Sequence, residues 1–168
     1  MPVVYEKIAD FTLTSNVYHV DFTSIPQTYR DLVVVYTGSG TATGSNEHKI
    51  QFNSDSAGNY GFIGIFSQTA ANTLSGFAGT NGTGAPCGGQ AADLTHYAYI
   101  LDYSTTDKHK NVITRNVTYT GGYNEVYNPV TCWRNTAAIT SLRYTSDGSP
   151  YSYYLRTGTR ISLYGVAS

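Results

Sequence analysis

No segment of this chain repeats its apolar residues at helical spacing over ten or more positions. The sequence breaks instead into roughly ten short runs of β character, each closed by Gly, Asn, Asp or Ser. Val17–Phe22 shows the pattern: Tyr18, Val20 and Phe22 share one face, and His19 and Asp21 take the other. Leu32-Val33-Val34-Val35-Tyr36 is continuously apolar and mostly β-branched, which predicts a central strand covered on both faces. Strands at this spacing, with no helix to carry a crossover, exclude a parallel α/β fold. They predict an all-β antiparallel sandwich of jelly-roll type, with residues 1–168 forming one domain.

The remaining strands follow from the same rules. Residues 3–8 and Phe11-Thr12-Leu13 are expected as two short strands. His48–Phe52, with Ile50 and Phe52 inward, is expected to pair as a hairpin with Tyr60–Ser67 across the turn Asn53–Asn59. Leu94–Tyr103 is expected to place Tyr97, Tyr99, Leu101 and Tyr103 on one face and Leu94, Ala98 and Ile100 on the other, with Asp107–Tyr119 as its antiparallel partner. Strands are also expected over 124–133, Ala138–Tyr144, Tyr151–Tyr154 and Thr159–Tyr164, with a turn at Asp147–Pro150. Residues 37–46 are expected as an uncharged loop. Residues 68–92, rich in Gly, Ala, Thr and Asn, are expected to form a long excursion with one helical turn at 68–74, of which residues 72–90 are removable without unfolding the sandwich. The expected core holds Ile50, Phe52, Leu94, Ile100, Ile161 and Leu163.

Charged residues are 12% of the chain and the net charge is −1, so no electrostatic footprint for nucleic acid is present. No run approaches the roughly 18 apolar residues of a membrane helix. Met1–Lys7 lacks a basic segment followed by an apolar one, so no signal peptide and folding in a cytoplasm are expected. Cys87 and Cys132 are too few for a disulfide scaffold and are expected as reduced, non-catalytic thiols.

Chemistry-bearing motifs are sparse. His19, His48, His96 and His109 show no metal-ligand spacing and are expected on polar strand faces or in local hydrogen bonds. Asn53–Asn59 offers several oxygen ligands but has no terminal Glu. It is read as an Asx-type hairpin turn rather than a calcium loop. No G-x-S-x-G motif occurs and Cys87 has no sequence partner able to act as a base, so no enzyme, cofactor or metal is expected. The sixteen tyrosines and scarce charge suit surfaces buried against other protein, because interface cores are depleted in Lys, Glu and Asp. Phe77, Tyr97, Tyr99 and Trp133 are the candidate interface anchors, with Trp133 equally suited to the core.

Four segments carry a resemblance. Tyr5–Thr14, Val20–Val34, Gln51–Tyr60 and Gly158–Val166 resemble small virion proteins of tailed bacteriophages, in particular those of cyanobacterial phages. The resemblance implies a β-sandwich virion component assembled in the host cytoplasm, and it carries no catalytic residues over. Two functions follow as expectations. One is a capsid decoration or cement protein, a homo-oligomer with a trimer among the candidates, held by other virion proteins such as the major capsid protein. The other is a tail-fibre or baseplate adhesin binding a host-surface glycan. The first is favoured because the expected first strand opens at Val3 with no fibre shaft ahead of it.

Overall fold

In the computed structural model, residues 4–39, 47–68, 73–89, 93–120, 123–146 and 154–167 are described. They form twelve strands: β1 (Val4–Thr12), β2 (His19–Phe22), β3 (Asp31–Gly38), β4 (Glu47–Phe52), β5 (Tyr60–Gln68), β6 (Thr73–Gly82), β7 (Ala85–Gly89), β8 (Asp93–Leu101), β9 (Lys110–Thr120), β10 (Tyr123–Trp133), β11 (Leu142–Ser146) and β12 (Arg160–Ala167). One sheet has eight strands in the order β1-β12-β3-β8-β9-β10-β5-β6, and the other has four in the order β2-β11-β4-β7. All ladders are antiparallel. The chain crosses between the sheets repeatedly, giving an antiparallel β-sandwich of jelly-roll type.

The core lies where the small sheet covers the large one. Every residue expected there is buried: Ile50, Phe52, Leu94, Ile100, Ile161 and Leu163. β3 sits between β12 and β8, with Leu32, Val34 and Tyr36 turned into the core and Val33 buried on the opposite face. Residues 3–8 and 11–13 do not make two strands. Val4–Thr12 is one strand whose register slips between Lys7 and Ala9, so a bulge at Ile8 interrupts the alternation without ending the ladder.

The expected hairpin between His48–Phe52 and Tyr60–Ser67 does not form. β4 belongs to the small sheet and β5 to the large one. Asn53 and Ser54 adopt left-handed backbone, with φ of 50° and 58°, and turn the chain across the core instead of back along it. Asp55 fixes that crossing: its carboxylate accepts from Ala57 N, from Asn59 Nδ2 and from Trp133 Nε1 at 2.7 Å. The Asx turn is therefore present, but it joins two sheets. The Asn53 side chain ties the same corner to residues 138–141, donating to Ala138 O and accepting from the Thr140 and Ser141 amides.

The 68–92 segment is not a removable excursion. Its described part is β6, at one edge of the large sheet, and β7, whose Ala85 and Cys87 belong to the core. Gln68, Thr73 and Leu74 are strand, not a helical turn, and 69–72 and 90–92 lie outside the described residues. The 37–46 loop is described only to Ser39, and Asp147–Pro150 and residues 151–153 also lie outside. Regular strand begins at Leu142 rather than Ala138, because the 138–141 backbone is held by Asn53 instead. Tyr103 is not on the outward face of β8. Asp102, with φ of 50° and its amide bonded to Asp31 Oδ1, reverses the chain and buries Tyr103, whose hydroxyl donates to Pro26 O.

Candidate interaction surface

The outward face of the large sheet is built by period-two alternation on β8, β9, β10, β5 and β6. Inward positions on β9 are Val112, Thr114, Asn116 and Thr118, so Ile113, Arg115 and Val117 must point out. Register then aligns outward side chains across strands. One row runs Tyr99, Ile113, Val130, Ile63 and Ala78. A parallel row runs Thr95, Val117, Val126, Ser67 and Leu74. Between them lie the pairs Tyr97–Arg115 and Asn128–Ile65. Aliphatic side chains dominate and are open to solvent: Ile63 is 67% exposed, Val117 57% and Ile65 50%. Among the outward residues of these five strands whose side chains are described, Arg115 is the one charged residue.

A depression of about 640 Å³ opens in this face between β9 and β10, lined by Tyr97, Ile113, Arg115, Val117, Val126 and Asn128 among others. Its origin is local. Pro129 has no N–H to give the ladder, and the β9–β10 register passes over Asn128 and Pro129 between Tyr127–Asn116 and Val130–Ile113. Tyr99 at the border is half-buried, and its side chain hydrogen-bonds Arg30, which is also paired with Asp31 at 2.8 Å; burial pushes the Tyr99 phenol up from its ordinary value.

The structure brings together two of the four expected anchors. Tyr97 and Tyr99 both lie on this face. Trp133 does not: it is fully buried between Phe52 and Tyr60, with its indole N–H on Asp55. Phe77 lies on the other side of β6, half-buried, stacked on Tyr127 with ring centres 4.6 Å apart and covering Gly64. Sequence reasoning missed Ile63, Ile65, Ile113, Val117, Val126 and Val130. On β5 and β10 the pattern itself was ambiguous, since Ile63 and Ile65 alternate with Phe62 and Phe66, and Val126 with Tyr127.

A second group was also missed. His48 and His96, expected on polar faces or in local hydrogen bonds, are both buried in the core and share the Tyr144 hydroxyl rather than facing solvent. Their Nδ1 atoms lie 2.8 and 3.4 Å from the Tyr144 hydroxyl. Tyr36 stacks on His96 and Tyr144, and it meets His48 edge-on. Burial holds both histidines below their ordinary value, His48 at about 4. His19 and His109 are exposed, as expected of polar positions.

Fold and surface together define a β-sandwich protein with one broad, nearly uncharged outward face. No protein-family model matches the chain, and no curated protein matches it. Among solved structures it is similar to a galectin of Caenorhabditis elegans, with TM-score 0.25 and 9% identity over 95% of this chain and 96% of that one. It is also similar to a marine alginate lyase of Aplysia kurodai, with TM-score 0.27 and 9% identity over 99% of this chain and 90% of that one. Likeness at this level carries no argument, and the sandwich assignment rests on the two sheets themselves.

Proposed function

We propose that this chain is a structural protein of a tailed-bacteriophage particle, a capsid decoration or cement protein. In this reading it works as a homo-oligomer and buries the outward face of its large sheet against a neighbouring virion protein. The observation that carries the reading is the aliphatic grid around Arg115: a face meant for water would spend Thr, Ser and charge where this one has Ile and Val. The phage-like segments at Tyr5–Thr14, Val20–Val34, Gln51–Tyr60 and Gly158–Val166 supply the kind of particle. Five strands about 4.8 Å apart and three rows about 6.8 Å apart give on the order of 500 Å² per partner, or about 1,000 Å² in total. That is the low end for a specific contact, and repetition over a symmetric shell multiplies it into avidity.

The test is Ile63→Lys with Val117→Lys, two exposed positions where charge leaves the core untouched. The double variant is expected to fold and to fail to join particles that lack the native protein. Incorporation at normal copy number overturns the reading. Native copy number tracking the major capsid protein supports decoration, and a few copies per tail mean a fibre or baseplate part instead. A protein that stays off particles and binds a host-surface polysaccharide belongs to the adhesin class.

A further inference from the structure

The two sheets have four edges, and three of them are closed to pairing. β1 carries Glu6, Lys7 and Asp10 and is bulged at Ile8. β2 is four residues long and presents His19 and Asp21 to solvent. β7 contains Pro86, slips register against β4 and is packed on β9 and β10. These are the usual devices that stop a sheet edge from recruiting another strand. β6 carries no charge and no proline, and its one irregularity, a bulge at Thr80–Asn81 near its end, leaves Thr73–Gly79 regular. It is ten residues long, Thr-Leu-Ser-Gly-Phe-Ala-Gly-Thr-Asn-Gly. It is the last strand of the large sheet, and its outer edge meets no ladder partner among the described residues.

We propose that β6 is the self-association edge of this protein, pairing antiparallel with β6 of a second copy. An antiparallel pair of identical strands is related by a two-fold axis, so the contact closes on itself as a dimer. Pairing β6 with the opposite edge, β1, would be head-to-tail and open-ended, and the charges and bulge of β1 oppose it. The side chains of β6 suit a second copy. Gly76, Ala78 and Thr80 face outward, are small and exposed, and leave room for an approaching backbone. A Cβ built at Gly76 meets only the Gly64 carbonyl at 3.9 Å. Leu74, 71% exposed near one end of the strand, is carried in an antiparallel pair to the far end of the partner strand, near its Gly79 and Gly82. Pairing joins two eight-stranded sheets into one sixteen-stranded sheet and makes the two outward faces continuous. The inference deepens the proposed function by naming the contact that makes the oligomer. It is read without particles, so the two fail separately.

The experiment is sedimentation velocity of the full chain over a wide micromolar range, with hydrogen exchange of the β6 amides. The native protein is expected to move from monomer to dimer with concentration, and β6 amides are expected to gain protection with it. Ala78→Lys with Thr80→Lys places like charges close together across the junction and is expected to abolish the dimer with an unchanged far-UV circular dichroism spectrum. Tyr5→Lys, on the β1 edge, is expected to leave the dimer intact, as is the outward-face pair Ile63→Lys with Val117→Lys. A native protein monomeric throughout, or a dimer that persists in the A78K/T80K variant, overturns the proposal. If that variant does not fold, β6 amides of the native protein that stay unprotected at high concentration overturn it equally.

Discussion

His48 and His96 make stability depend on pH in a window no other shifted group shares. The groups around them are Tyr36 from β3, Cys87 from β7, Asn116 from β9 and Tyr144 from β11, and no carboxylate contributes to either ring. Burial favours the neutral imidazoles, so His48 titrates at about 4 in the fold and His96 well below its ordinary value. In the unfolded chain both titrate near 6.5. Below that pH the unfolded state therefore binds protons that the folded state refuses. The stability contribution is complete above about 6.5 and is lost as pH falls toward the folded values. A histidine that stays neutral in the fold costs about 2 kcal/mol between pH 7 and 5, and two cost about 4 kcal/mol, a large share of a typical 5–15 kcal/mol. Asp10, Asp21 and Asp55 are held below their ordinary value of 3.8, so their stabilising contributions are lost only at lower pH. Trp133, the sole tryptophan and fully buried, reports unfolding. Urea melts at pH 7, 6 and 5 are expected to show the fall of about 4 kcal/mol in the native chain. His96→Phe keeps an aromatic ring in the stack on Tyr36, where centres lie 5.1 Å apart, and is expected to halve the fall. Stability flat between pH 7 and 5, or an undiminished slope in the variant, refutes the reasoning.

Other consequences are simpler. Leu163, fully buried and paired with Val34 and Ala9, fills space that neighbouring strands cannot close. Leu163→Ala is expected to cost about 2–5 kcal/mol in a urea melt, and a loss well under 1 kcal/mol would contradict its place in the core. Cys87 and Cys132 are free thiols. The unfolded protein is expected to titrate the same two thiols before and after reduction, and two extra thiols on reduction would show a bridge instead.

The parts legible in the sequence were those where one face of a strand is plainly apolar and the other polar. Val20 and Phe22 against His19 and Asp21, and Leu94, Ala98 and Ile100 on β8, were placed correctly from parity alone. Parity also held the answer for the histidines. His48 shares its face with Ile50 and Phe52, and His96 shares its face with Leu94 and Ala98, so treating them as polar by residue type overrode the better signal. Sheet membership was not legible. The turn after Phe52 contains ordinary hairpin residues, and only Asn53 and Ser54 in left-handed backbone, with Asp55 bonded to the distant Trp133, send β5 to the opposite layer. No local pattern encodes a partner 78 residues away.

Trp133 shows why the interface anchors divided as they did. On β10 the outward Val126 and Val130 alternate with the inward Tyr127, Thr131 and Trp133, so both faces read as apolar and period two cannot say which one meets the core. The same holds on β5, where Ile63 and Ile65 oppose Phe62 and Phe66. A sheet with a single buried face has no use for aliphatic side chains on the other, and their cost in exposed apolar area runs at roughly 25 cal/mol per Å². The ambiguity of these strands is therefore itself informative: a strand that looks inward on both sides is one whose second side is expected to be covered. Here the small sheet covers one side, and on the other Arg115 alone stands charged among the outward residues of β8, β9, β10, β5 and β6 whose side chains are described. Charge placed there should be nearly silent for folding, because no core atom feels it, and decisive for assembly. That separation is what the Ile63→Lys, Val117→Lys pair measures.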